Sequence, residues 1–142
     1  MKREILIVED NDGDILLLQE AFETSGCQWN LTICKDGEQA IRHLADLCAQ
    51  EHHNRPDLIL LDLNLPRKNG LEVLEFIKEN GFLKEIPTVV FSTSSSKKDI
   101  DSCYQRHANC YITKPVDIDN YQRTIQAICS FWVHTVQLPG VR

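Results

Sequence analysis

Five short apolar runs punctuate the chain, at residues 5–8, 31–34, 58–61, 88–91 and 110–113. Each is followed by a stretch whose apolar residues recur at helical spacing. A strand with one wet face would alternate apolar and polar residues, whereas uniformly apolar runs suit strands covered on both faces. Strand then helix, five times over, implies one parallel sheet with helices on both sides.

The helical stretches carry their own boundary signals. Asp12 stands as an N-cap before Ile15, Leu18 and Phe22, a stripe closed by Gly26. Asp36, with Gln39 three residues on, predicts a capping box ahead of Ala40, Ile41, Leu44, Leu47 and Cys48. The polar residues 50–55 read as a loop. A turn over 66–70 leads to Leu71, Leu74 and Ile77, in a helix ending near Gly81. The fourth helix, about 96–107, is poor in large apolar residues. Beyond Pro115, the residues Ile118, Tyr121, Ile125, Ile128, Trp132 and Val136 keep helical spacing almost to the end. No linker or low-complexity segment interrupts the 142 residues, a length that suits one domain.

Composition narrows the function. Fifteen basic against twenty-one acidic residues give a net charge of −6, which argues against a nucleic-acid surface. No apolar run approaches the roughly 18 residues of a membrane span. The first residues lead straight into a strand without a signal-peptide layout, so a cytoplasmic protein is expected. Cysteines at 27, 34, 48, 103, 110 and 129 stand mostly beside apolar residues and read as reduced core thiols. Zinc held by Cys48, His52 and His53, or by Cys103, His107 and Cys110, would use spacings that match no common ligand pattern.

Ligands of an open parallel sheet bind beyond the carboxyl ends of its strands. There the first run ends in Glu9-Asp10, the third in Asp62, the fourth in Ser92-Thr93 and the fifth in Lys114-Pro115. The second run, offering Lys35-Asp36, is expected at a sheet edge. Taken singly, each of these is an ordinary cap or turn residue. Together they place three carboxylates in one crevice. Two such charges about 4 Å apart repel by roughly 4 kcal/mol at an effective dielectric near 20, so a cation or raised pKa values must follow. Oxygen ligands of this kind suit Mg²⁺. Lys114 adds a fixed positive charge and Ser92 a hydroxyl. This is equipment for handling a phosphoryl group, with Asp62 the best candidate nucleophile and Glu9 and Asp10 suited to holding the cation.

The stretches "ILIVEDN", "LILLDLNLPRKNG", "TVVFSTS" and "YITKP" resemble the receiver domains of two-component response regulators across essentially the whole chain. The resemblance implies a flavodoxin-like, doubly wound sheet of five parallel strands in the order 2-1-3-4-5. It implies that Asp62 is the phosphoacceptor, that Glu9, Asp10, Asp62 and the backbone carbonyl of Asn64 hold Mg²⁺, and that Lys114 pairs with the phosphoryl group. Ser92 and Tyr111 match the switch positions, and the bond before Pro115 is expected to be cis. Glu9 replaces the more frequent Asp, and Lys68 stands where Met or Leu is common. The segments "RPDLILLDLNLP", "LKEIPTVVFSTSS", "CYITKP" and "FWVHTVQLP" are similar to the stand-alone regulators that serve bacterial phytochromes.

On this reading residues 1–142 are one receiver domain, with 129–142 extending the last helix and no output domain. The chain is expected to be a signalling switch rather than an enzyme, phosphorylated by a histidine kinase of phytochrome type. Phe131, Trp132, Val133, Val136 and Leu138 exceed what one helical stripe needs and are candidates for a homodimer contact with the fourth helix, fifth strand and fifth helix. A general phosphorelay or chemotaxis-type regulator is the nearest alternative. An aspartate-nucleophile phosphatase would want an acid where Asn64 stands. A flavin-binding sheet would need a phosphate cradle where the acidic "EDNDGD" lies. A receiver reduced to a plain adaptor would not need so complete a site.

Overall fold

Local pattern and tertiary order agree closely. A computed structural model describes residues 3–24, 26, 28–50 and 55–139. Strands β1 (Arg3–Val8), β2 (Trp29–Cys34), β3 (Leu58–Leu61), β4 (Thr88–Ser92) and β5 (Cys110–Thr113) alternate with helices α1 (Asp12–Thr24), α2 (Gly37–Ala49), α3 (Gly70–Glu79), α4 (Lys97–Gln105) and α5 (Ile118–Ser130). Every strand pair is parallel, in the order β2-β1-β3-β4-β5. This is the expected flavodoxin-like doubly wound sheet, with β2 at an edge.

Successive side chains of each strand point to opposite faces, and this splits the interior into two apolar layers. Leu6, Val8, Ile59, Leu61 and Val90 meet Leu44, Val73, Leu74 and Ile77 of α2 and α3. Ile5, Ile7, Leu58, Leu60, Val89 and Phe91 meet Leu18 and Phe22 of α1 and Tyr121, Ile125 and Ile128 of α5. Both faces of β1, β3 and β4 are thereby buried, which is why their sequence does not alternate.

Two glycines mark close approaches of backbone to backbone. A Cβ at Gly70 would stand 2.3 Å from the carbonyl oxygen of Asp62, and one at Gly37 would stand 1.7 Å from that of Lys68. Gly70 also donates its N–H to Leu63 O at 2.9 Å. The start of α3 is therefore seated directly on the turn that follows β3. Asn69 caps α3 in a reciprocal box with Glu72.

Several boundaries differ from the sequence expectation. Asn11, not Asp12, caps α1: its Oδ1 accepts the Asp14 N–H at 2.9 Å. Asp12 is instead the first helical residue, where a carboxylate suits the dipole. Asp36 does cap α2, but Gln39 accepts the N–H of Lys35 rather than closing the box on Asp36. Helix α4 is shorter than expected, with Ser96 as its cap. The last helix leaves α geometry at Ser130 and makes a π-helical turn over Phe131–Thr135, closed by Val136 N–H to Phe131 O at 2.8 Å. That wider turn lets Trp132, Val136 and Leu138 all meet the α1–α5 layer. No cis peptide bond occurs among the described residues, so the bond before Pro115 is trans, not cis as expected. An X-Pro bond intrinsically prefers trans by only about 0.5–1 kcal/mol, so a sequence pattern decides it poorly.

Among the described residues no helix is long and apolar enough to cross a membrane. Cys34 and Cys103 are buried free thiols, Cys48 and Cys110 are partly buried and free, and Cys129 is buried. Burial pushes the thiols of Cys34 and Cys103 up to about 11. Cys27, His52 and His53 lie outside the described residues.

Candidate functional site

The carboxyl ends of β1, β3, β4 and β5 converge as expected. Register pairs Val8 with Leu61, which sets Glu9 beside Asp62, and Asp62 donates its N–H to Val8 O at 3.0 Å. Leu61 pairs with Val90, so Ser92 lies two residues further along the neighbouring strand. Ser92 pairs with Thr113, and Lys114 donates its N–H to Ser92 O. Strand registry alone thus brings four of the predicted residues to one edge.

Burial makes the cluster unusual. Glu9, Asp62, Ser92 and Lys114 are 2%, 7%, 0% and 5% exposed, while Asp10 is open to solvent. Carboxylate oxygens of Glu9, Asp10 and Asp62 all lie within 4.8 Å of one another. The two carboxylate oxygens of Asp62 have different surroundings. Oδ1 accepts the Leu63 N–H at 2.8 Å, and Oδ2 lies 3.5 Å from Lys114 Nζ. Lys114 also donates to Glu9 Oε1 at 2.5 Å and to Asp14 Oδ2 at 3.0 Å.

The charges shift one another. Burial, reinforced by the nearby Asp62, raises the Glu9 carboxyl to about 7 against the opposing pull of Lys114. Burial pulls Lys114 down, but its contacts with Glu9, Asp62 and Asp14 outweigh it and the net direction is up. A single ammonium therefore serves three carboxylates, Glu9, Asp14 and Asp62, while the Asp10 carboxylate stands beside Glu9 and Asp62 without reaching it. An all-oxygen set crowded within 4.8 Å and short of positive charge fits a hard divalent cation. Among the described residues this is the one cluster of three or more acidic, histidine or cysteine side chains placed to hold a metal, and the Cys103, His107 and Cys110 alternative forms none.

Family comparison decides what this edge belongs to. Residues 5–126 match the family model for the response regulator receiver domain. The chain belongs to that family. Receiver domains are signalling proteins. Response regulator Rcp1 of Synechocystis is 46% identical over 136 residues, covering 96% of this chain and 92% of Rcp1. Among solved structures, the phosphorylated cyanobacterial phytochrome response regulator RcpA superposes with a TM-score of 0.92 at 43% identity, covering 99% of this receiver and all of that chain. The Mn²⁺-bound form of Rcp1 gives 0.87 at 45% identity, covering 97% and 99%.

The remaining predicted residues fall on the rim of the receiver's site. Asn64 has an exposed side chain, two residues beyond Asp62. Tyr111 is on β5, facing the α2–α4 layer, and its hydroxyl donates to Ser94 O at 2.7 Å. Ser92 Oγ accepts the Ser94 N–H at 3.3 Å, and Ser94 Oγ donates to Asp99 Oδ2 at 2.5 Å. Of the tail candidates, Trp132 is buried against its own domain and Val136 and Leu138 pack partly on it, while Phe131 is 48% exposed.

Asp14 and Tyr121 were missed by sequence reasoning. Tyr121 donates its hydroxyl to Asp14 Oδ1 at 2.6 Å, and the ring packs against Phe91 with centroids 5.5 Å apart. Burial first, and then the Asp14 carboxylate, hold the phenol protonated far above its ordinary range. A signal for Asp14 was available: it is an acid in the first turn of α1, just beyond the Glu9-Asp10 pair. Tyr121 hid inside an apolar stripe.

Proposed function

We propose that this receiver is a phosphorylation switch in which Asp62 accepts a phosphoryl group from a histidine kinase. The observation that carries this reading is the state of Asp62. It is nearly buried at the end of a central strand, with one oxygen held by the Leu63 N–H and the other facing Lys114 at 3.5 Å. The free oxygen bonds to phosphorus as the donor's N–P bond breaks, giving an acyl phosphate. Lys114 then offers its charge to the phosphoryl oxygens. Glu9, Asp10, Asp62 and the Asn64 carbonyl are the groups that would hold Mg²⁺. When bound, that ion supplies positive charge to balance the carboxylates and the incoming phosphoryl oxygens.

Ser92 and Tyr111 carry the change outward. The added phosphoryl group brings roughly −1.5 to −2 charges and fresh acceptor oxygens. Ser92 gives up its weak 3.3 Å contact with Ser94 to reach it, and Tyr111 exchanges its Ser94 partner and turns inward. The surface of α4, β5 and α5 then has two states that a partner can tell apart. A homodimer through this face and the tail is supported by exposed Val116, Ile118 and Phe131. A kinase of phytochrome type is supported by the likeness to RcpA, a phytochrome response regulator.

Mass spectrometry after treatment with acetyl phosphate and Mg²⁺ tests the site. Wild type should gain one phosphoryl group and Asp62→Asn none, and equal labelling of the two overturns the reading. Transfer from a purified phytochrome kinase at a rate no better than from an unrelated kinase would leave a general phosphorelay regulator. Sedimentation of the phosphorylated protein and of Phe131→Ser tests the dimer. Monomers in both remove it.

A further inference from the structure

Lys114 is tied to both flanking helices as well as to β1. Its Nζ donates to Asp14 in the first turn of α1, and the other oxygen of Asp14 accepts the hydroxyl of Tyr121 in the first turn of α5, at 3.0 and 2.6 Å. The Lys114 side chain is 3% exposed and that of Asp14 20%. Phe91 lies beneath both ends of this chain of contacts: its ring is 5.5 Å from that of Tyr121 and 5.6 Å from Lys114 Nζ.

We propose that Asp14 and Tyr121 are positioning residues for Lys114, forming an arm that aims the ammonium at Asp62 and joins it to α5. This rests on the reading of Asp62 as phosphoacceptor. An ammonium has three N–H donors on a flexible four-carbon stem, so one contact cannot fix its direction. Glu9 takes one donor and Asp14 a second. The donor that remains faces Asp62 Oδ2 at 3.5 Å, too long for a hydrogen bond and short enough to close on a phosphoryl oxygen. Asp14 can act as an anchor because its second oxygen is itself held by a phenol whose ring is packed. Neither residue touches the reacting atoms. Movement of the ammonium toward a phosphoryl group pulls on Asp14, and through it on the start of α5. This route to the output face is separate from Ser92 and Tyr111.

The test combines a rate with a direct view of the ammonium. Tyr121→Phe keeps the ring on Phe91 and removes only the hydroxyl, and Asp14→Asn keeps the shape and removes the charge. At saturating Mg²⁺, both should take label from acetyl phosphate roughly fivefold more slowly than wild type, the kind of loss that follows when a charged group is left unaimed. In a Lys114→Gln background, Tyr121→Phe should change the rate no further, because the arm acts through the lysine. Unchanged rates in both single variants overturn the proposal, and so does an undiminished effect of Tyr121→Phe without the lysine. In ¹⁵N spectra of lysine ammonium groups, the signal lost in Lys114→Gln should shift in Tyr121→Phe. An unmoved signal also overturns it. If wild type takes no label, the phosphoacceptor reading falls, and this spectrum still decides the tether.

Discussion

On the α1–α5 side of Asp62, Lys114 binds Glu9 and Asp14, and Tyr121 braces Asp14. On the α4 side, Ser92 accepts a backbone N–H at 3.3 Å and Tyr111 donates to the carbonyl of Ser94. The first flank is made of buried and half-buried charges, the second mainly of hydroxyls and backbone groups, with the Asp99 carboxylate behind Ser94. Removing one member of a buried ion pair strands its partner in a poor solvent. A neutral hydrogen bond is worth about 1 kcal/mol net, and its partners find replacements readily. The charged flank therefore suits holding a geometry fixed, and the hydroxyl flank suits exchanging partners. The proposed switch uses both, and the receiver places them on opposite sides of one carboxylate.

The sharpest way to break this contrast is to remove one residue from each flank and compare stabilities. Lys114→Met should lower the unfolding free energy by about 3 kcal/mol in urea denaturation at pH 8, because it leaves Glu9 buried without its cation. Equal losses for Lys114→Met and a hydroxyl-flank variant would erase the distinction. Next comes the pH dependence, measured with chelator present. Burial keeps folded Glu9 protonated up to about pH 7, against the ordinary 4.5 of a free glutamate. Between those values the folded state binds more protons than the unfolded one, so stability falls as pH rises through that window. Glu9→Gln should flatten the slope, and an unaltered slope would place the titration elsewhere. Asp62→Asn should stabilise the protein by about 1 kcal/mol by relieving repulsion among the carboxylates, and a loss in the same denaturation assay would show that the Lys114 contact dominates. Smallest is Tyr111→Phe, which should cost about 1 kcal/mol or less while changing partner affinity after phosphorylation.

The apolar runs and their order made the sheet legible, because burial on both faces leaves a sequence signature that side-chain detail does not blur. Glu9, Asp62, Ser92 and Lys114 were legible for the same reason: each sits at a strand end, where topology alone sets the neighbours. What stayed hidden depends on contacts between elements far apart in the chain. Asp14 and Tyr121 meet only because α1 and α5 pack side by side, and a tyrosine in an apolar stripe looks the same whether its hydroxyl is bonded or wet. The π-helical turn escaped because Trp132 and Val136 also satisfy α-helical spacing. The trans bond at Pro115 escaped because the intrinsic difference between the isomers is small. Asn11 outcompeted Asp12 as a cap by one position, a margin that a spacing rule does not resolve.

The sheet that divides the interior has a consequence for how this receiver tolerates change. Leu44, Val73 and Leu74 lie on one side and Phe22, Ile125 and Ile128 on the other, with the strands between. Side chains in different layers share no partners, so their substitution effects should be close to additive, while pairs within a layer should couple. The receiver thus behaves as two half-cores that can drift independently, one beneath the α2–α4 surface and one beneath α1 and α5. A lineage could remodel the face that meets its partners while leaving the packing behind the Tyr121 arm untouched.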